Sequence, residues 1–141
     1  MPTTATVRGV GVSVSEDGHR TPVVLLDADD RVVPIFVSDD QAQSMQLAID
    51  GESFERPLTH DLLVEMVMEL GGAVDRVRID DLADATFYAK IDAEQYRDGE
   101  RRDLSFDARP SDAIALALRL ECPIEISDAV IDRAGRPASS F

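Results

Sequence analysis

Asp107-Ala-Arg-Pro-Ser-Asp-Ala-Ile-Ala-Leu-Ala-Leu-Arg119 joins a polar surface segment directly to a helix apolar enough to be enclosed. Pro110 suits the first turn of a helix, where its missing N–H needs no partner and its fixed φ is already helical. Ser111 or Asp112 can offer an oxygen to the free N–H groups of that turn. From Ala113 to Leu118 every residue is apolar, so for almost two turns the helix has no wet face and must be covered on several sides. The polar residues Asp107, Arg109, Ser111 and Asp112 therefore ride on the end of a rigid, buried element.

Outward from this helix, the preceding chain reads as strands and two further helices. Thr6 to Val14 alternates and is rich in valine, with Gly9 and Gly11 marking a bulge or a close approach. Glu16 to Arg20 turns the chain into Pro22–Leu26, and Asp27 to Arg31 turns it again into Val32–Val37. Pro34 cannot donate to a ladder, which places it on an edge or at a bulge. Ser38 with Gln41 three residues on forms a capping-box pattern. Ala42, Met45, Ala48 and Ile49 give that helix its inner stripe, and Gly51 ends it. A polar loop over 52–57 leads to Thr59, read as the cap of a second helix with Leu62, Leu63, Met66, Val67 and Leu70 on one face.

Gly71-Gly72 stops this helix. A strand around Arg76–Asp80 follows, then a tight turn at Asp81–Asp84. The clearest strand comes next: Phe87, Ala89, Ile91 and Ala93 point one way, and Thr86, Tyr88, Lys90 and Asp92 the other. Arg97-Asp-Gly-Glu100 reverses the chain into a strand with Leu104 and Phe106 on its apolar side. Beyond the buried helix lie a short strand, Pro123–Ile126, and a last helix capped by Ser127 and closed by Gly135. The expected class is α+β: a mixed, largely antiparallel sheet packed with three main helices and a short C-terminal helix. Residues 1–135 form one domain, and 136–141 read as a flexible tail.

The 141 residues suffice for one proper core. No run approaches the roughly eighteen apolar residues of a membrane span, and the first residues carry no signal pattern. A single cysteine, Cys122, has no internal partner, so the expected setting is cytoplasmic. Fourteen basic against twenty-eight acidic residues leave a net charge of −14; nineteen of the acids are Asp, and Lys90 is the single lysine. Short carboxylates with almost no lysine resemble the surfaces of proteins from salt-rich cytoplasm. A nucleic-acid binder ordinarily shows a basic footprint, and here no basic run exceeds Arg101-Arg102. Tight non-specific binding of RNA or DNA is not expected; cleavage would rest on local contacts or a metal.

Arg109-Pro-Ser-Asp-Ala-Ile-Ala-Leu-Ala-Leu-Arg119, Arg56-Pro-Leu-Thr-His-Asp-Leu-Leu63 and Ile79-Asp-Asp-Leu-Ala-Asp-Ala-Thr-Phe-Tyr-Ala89 together resemble the bifunctional nuclease domain family, in a form like that of halophilic archaea. The resemblance runs from about Val7 to Ala134. It implies an activity toward both RNA and DNA.

The residues themselves suggest where such chemistry would sit. His60 and Asp61 fall in the first turn of a helix, whose dipole favours a neutral imidazole usable as base or ligand. Asp61 could orient that ring or bind a divalent cation. The structural alternative is that Asp61 steadies the helix start and His60 merely packs. Arg109 has the fork for a phosphate, and Asp107 and Asp112 carry oxygens suited to Mg2+ or Mn2+. Equally, Arg109 can pair with an acid while Ser111 and Asp112 cap.

Joined, these readings place two helix starts around one pocket. Its catalytic set would be His60, Asp61, Arg109 and Asp112. Thr59, Arg109 and Ser111 would hold substrate, and Asp61, Asp107 and Asp112 a metal. The alternative is a non-catalytic oligomeric module that binds an anion or a protein. A homodimer suits either reading, since edge strands such as the one holding Pro34 invite pairing. No P-loop, dinucleotide-binding glycine motif, zinc spacing or serine elbow is present.

Overall fold

The computed structural model describes residues 2–52 and 55–141, so part of the expected polar loop over 52–57 lies outside the described residues. The chain runs β1 (Thr3–Val14), β2 (Arg20–Ala28), β3 (Arg31–Phe36), α1 (Asp39–Asp50), α2 (Thr59–Glu69), β4 (Gly72–Ala83), β5 (Thr86–Arg97) and β6 (Glu100–Ala108). It continues through α3 (Pro110–Leu120), β7 (Ile124–Ile126), α4 (Asp128–Ala134) and β8 (Arg136–Pro137) to a 3-10 turn at Ala138–Ser140. All the strands join one sheet in the order β6-β5-β4-β7-β1-β2-β3-β8. Pairing is antiparallel except between β4 and β7. The architecture is the expected α+β class.

Local chemistry explains most of these elements. β1 shifts register between Val7 and Gly9, the bulge its glycines suggest. Ser38 accepts from the Gln41 amide while Gln41 reaches back to the Ser38 amide, closing the capping box, and Gly51 ends α1 with φ +68°. Two-residue turns with positive φ make the hairpins on either side of β5: Asp84-Ala85 and Asp98-Gly99. The first of these is tighter than the turn expected over Asp81–Asp84, because Asp81, Leu82 and Ala83 stay in the ladder with Tyr88, Phe87 and Thr86. Arg136 and Pro137, read as part of a loose tail, pair with Val32 and Arg31 at the outer side of β3. Pro34 pairs inward with Leu25 and lies beyond the reach of β8.

The buried helix α3 is the centre of the molecule. Ser111 and Ala113 to Ala117 are all buried, and α3 touches α1, α2, β4 and β5. Its alanines and Ile114 share one buried cluster with Val77, Ile79 and Ala89 of the sheet and with Leu26, Met45 and Ile126. The small β7 strand returns the chain into the middle of the sheet, between β4 and β1. Ser127 then caps α4, as its position suggests. In α1 the inner face is Ser44 and Met45, with Ile49 left exposed.

The second helix departs furthest from its sequence pattern. Thr59 is its first residue, not its cap; the Leu58 amide is bound instead by Asp61 Oδ2 at 3.1 Å. None of its side chains is buried. Leu62, Leu63, Met66, Met68 and the following Leu70 are all exposed, and so is Phe106 on β6. The stripe reads correctly as one apolar side of a helix, but the domain itself supplies too little to cover it.

Candidate functional site

The starts of α2 and α3 meet. His60 on α2 places Nε2 2.9 Å from Asp112 Oδ1 on α3, and Arg109 Nε donates to Asp112 Oδ2 at 3.1 Å. On the other side of the ring, Nδ1 stands 2.8 Å from Ser44 Oγ of α1. A carboxylate only accepts, so Nε2 carries a hydrogen toward Asp112. Ser44 Oγ also accepts from Arg119 Nη2 at 3.1 Å, which leaves its own hydrogen free to point at Nδ1. Arg119 in turn donates to Asp61 Oδ1 at 2.6 Å and to the carbonyls of Ala115 and Ser44. The result is a continuous chain, Arg109–Asp112–His60–Ser44–Arg119–Asp61, tying three helices together.

This cluster stands at the rim of a groove of about 630 Å³. Thr59, His60, Asp107, Arg109 and Asp112 line one end; Leu63, Val67, Val74, Ile91, Leu104 and Phe106 form much of the rest. Exposure falls inward along the chain of contacts: Arg109 is 72% exposed, Asp112 33% and His60 14%. Arg109 thus offers the outer face of its guanidinium to whatever enters, while Asp112 and His60 stand just behind it.

The sequence-derived candidates divide accordingly. His60, Arg109, Asp112 and Thr59 come together at one groove, as expected from the two helix starts. Asp61 is drawn away to Arg119 and does not line the groove. Burial works to raise its carboxyl pKa, but the hydrogen bonds from Arg119 and the Leu58 amide outweigh burial and hold it below the usual carboxylate value. Ser111, expected as a substrate contact, is 6% exposed and does not line the groove. Asp112 spends its oxygens on His60 and Arg109 instead of capping its own helix.

The expected metal set does not converge. Asp61 pairs with Arg119, Asp107 with Lys90 at 3.2 Å, and Asp112 with His60 and Arg109. Among the described residues, no three His, Cys, Asp or Glu side chains stand together as a metal ion needs. Each of these carboxylates is held by a cationic or imidazole partner, so as placed these donors do not form a preassembled Mg2+ or Mn2+ site.

Ser44 and Arg119 are the residues that sequence reasoning missed. Arg119 closes the quoted motif, and an arginine ending an enclosed helix needs a buried partner; that was the available signal. Ser44 gave none, since a serine in a helix stripe has no pattern of its own. Cys122 is half-buried against the core, where burial pushes its thiol pKa up, as suits a packing residue.

Fold and site together define an α+β domain with a polar, helix-end cluster at the mouth of an apolar groove. The bifunctional nuclease domain model matches residues 23–139, and the chain belongs to that family. It is 37% identical over 130 residues to an uncharacterized protein of Mycobacterium tuberculosis, covering 92% of this chain and 75% of the relative. It is 28% identical over 109 residues to Bifunctional nuclease 1 of Oryza sativa, covering 77% of this chain but 33% of the rice protein. Bifunctional nuclease 2 of Arabidopsis thaliana is 28% identical over 102 residues, with 30% of its length covered. Among the described residues, no helix is long and apolar enough to cross a membrane.

Proposed function

We propose that this domain hydrolyses phosphodiester bonds of RNA and DNA at the rim where α2 and α3 meet. The observation that carries the reading is the Arg109–Asp112–His60 chain opening on the groove. A phosphate arriving there competes with Asp112 for the Arg109 fork, and a guanidinium matches two phosphate oxygens as well as it matches a carboxylate. Asp112, released from Arg109, takes the proton of the attacking water. Asp112 then passes that proton to the leaving alkoxide, giving a phosphomonoester and an alcohol, while the Nε2–H of His60 stays on the imidazole and orients the carboxylate. Ser44 and Arg119 position the imidazole from behind, and Asp61 positions Arg119. Thr59 lies at the same rim to meet the substrate backbone. A divalent ion, if used, would have to arrive with the phosphates. The acidic surface opposes broad electrostatic binding of nucleic acid, so capture rests on local contacts such as Arg109.

The test is a nuclease assay on RNA and single-stranded DNA in multimolar KCl, with Mg2+, with Mn2+ and with chelator. His60→Ala and Arg109→Ala are each expected to lower kcat/KM by about 10²-fold or more. Activity persisting in both folded variants would end the reading. A second reading, a non-catalytic homo-oligomeric module binding an anion or a protein, is favoured by the apolar walls of the groove. It predicts no cleavage by wild type under any metal condition.

A further inference from the structure

We propose that the open edge of β6 is where a second copy of this chain pairs, strand to strand, and that the partner completes the cover over α2. This goes beyond the chemistry proposed above and stands without it. β6 ends the sheet, and no strand among the described residues lies on its outer side. The opposite end differs: β3 is already met by Arg136 and Pro137, and Pro34 offers no donor there. An open nine-residue edge is an invitation to another strand.

The charge pattern of β6 selects a copy of itself. Its sequence is Glu100-Arg-Arg-Asp-Leu-Ser-Phe-Asp-Ala108, with Leu104 at the middle. In an antiparallel pair centred on Leu104, Arg101 of each copy faces Asp107 of the other, Asp103 faces Ser105, and Arg102 faces Phe106. Opposite charges therefore stand across from one another on one face, and a guanidinium meets an aromatic ring on the other. Centring on Asp103 would set two carboxylates face to face. Centring on Ser105 would oppose Asp103 and Asp107 twice. The centred register is also the one that pairs the whole strand. Arg101 and Asp107 have local partners, Glu94 and Asp103 for the first and Lys90 for the second, but both remain more than half exposed and can share.

Residues facing one another in an antiparallel pair lie on the same side of the sheet. Leu104 and Phe106 of both copies would then form one apolar strip, continuous with the groove floor at Ile91 and Val74. The two α2 helices would flank that strip with Leu63, Met66 and Leu70 facing inward, giving cover to a helix with no fully buried residue within one chain. The partner would also wall the groove beside His60 and Arg109.

The proposal is tested by sedimentation and by oxidative cross-linking of the full chain in multimolar KCl. Wild type is expected to sediment as a dimer at micromolar concentration, and Leu104→Asp as a monomer with unchanged circular dichroism. In a Cys122→Ser background, Leu104→Cys should form an intermolecular disulfide under mild oxidant, because facing Cβ atoms stand ~5 Å apart. Arg102→Cys, which faces Phe106 and not itself, should not. Should Leu104→Asp fail to fold, the two cysteine variants still decide the matter. A monomeric wild type, or a dimer in which Leu104→Cys does not cross-link or Arg102→Cys links as well, overturns the proposal.

Discussion

Arg119 shows how one residue at the far end of the α3 motif governs a site some distance away. Its side chain is 10% exposed and feeds Asp61, Ser44 and two carbonyls. Arg119→Ala leaves those acceptors short of donors and should cost about 2–3 kcal/mol in urea unfolding. Arg119→Lys keeps the charge but not the fork, so an intermediate loss is expected. The same contacts have a pH signature. Asp61 is held below the usual value because its hydrogen bonds outweigh burial, and Asp92 because Arg78, then Arg76 and Ser105, donate to it. A carboxyl whose folded pKa is depressed contributes stability that is present above its unfolded pKa, near 3.9, and lost as pH falls through the folded value. At constant salt, the urea midpoint should lose nothing from these two groups down to about pH 4 and then fall. The fall should be shallower in Arg119→Ala, and an identical profile in both proteins would detach Asp61 from Arg119.

At the scale of elements, what could be read in the sequence was whatever a local rule controls. Ser38 with Gln41, Pro110 at the start of α3, the alternation of β5 and the Asp98-Gly99 turn each reflect a preference that a few residues settle alone. The convergence of His60 with Arg109 and Asp112 was also legible, because all three sit at helix starts, the ends whose free N–H groups suit one anion-binding pocket. What local rules do not carry was missed: Ser44 enters the site only through the packing of α1 on α3, and the exposure of α2 depends on what faces it. The join between α2 and β4 shows tertiary demand on a single position. Gly71 has φ +82°, and a Cβ there would come within 2.8 Å of the Tyr96 carbonyl oxygen. The Tyr96 amide already donates to the Gly71 carbonyl, so neither side can easily give. Gly71→Ala should destabilise by about 1–3 kcal/mol. Gly18→Ala, also at positive φ but with open space around it, should cost less. Equal losses in the two would mean that backbone conformation alone, and not the close approach, sets the requirement.

For the whole molecule the governing quantity is the net charge of −14 on 141 residues. The described ion pairs bring six of the thirteen arginines to acids, as where Arg76 and Arg78 both bind Asp92 at 2.8 and 2.7 Å. Those pairs leave a large excess of carboxylates facing one another through water. At ~1 M salt the screening length is ~3 Å, shorter than most such separations, whereas at ~0.01 M it is ~30 Å and spans the domain. Dilution of salt therefore turns local repulsions into one repulsion shared by the entire surface, and the folded chain, holding its charges closer than the unfolded one, bears more of it. The melting temperature should rise steadily from millimolar to molar KCl. Potassium chloride is the useful salt here because sulfate would strengthen apolar burial on its own account. A variant exchanging exposed Asp39, Asp40 and Asp50 for Asn removes three of these charges; it should melt higher than wild type in dilute salt and close to it in concentrated KCl. Asp39 and Asp40 sit in the first turn of α1, where the helix dipole welcomes them, so the variant loses some local stabilisation under both conditions. A gain in dilute salt despite that loss would show that repulsion across the whole surface outweighs the local attraction at the helix start. A wild-type melting temperature indifferent to salt would mean that no such repulsion acts on the fold.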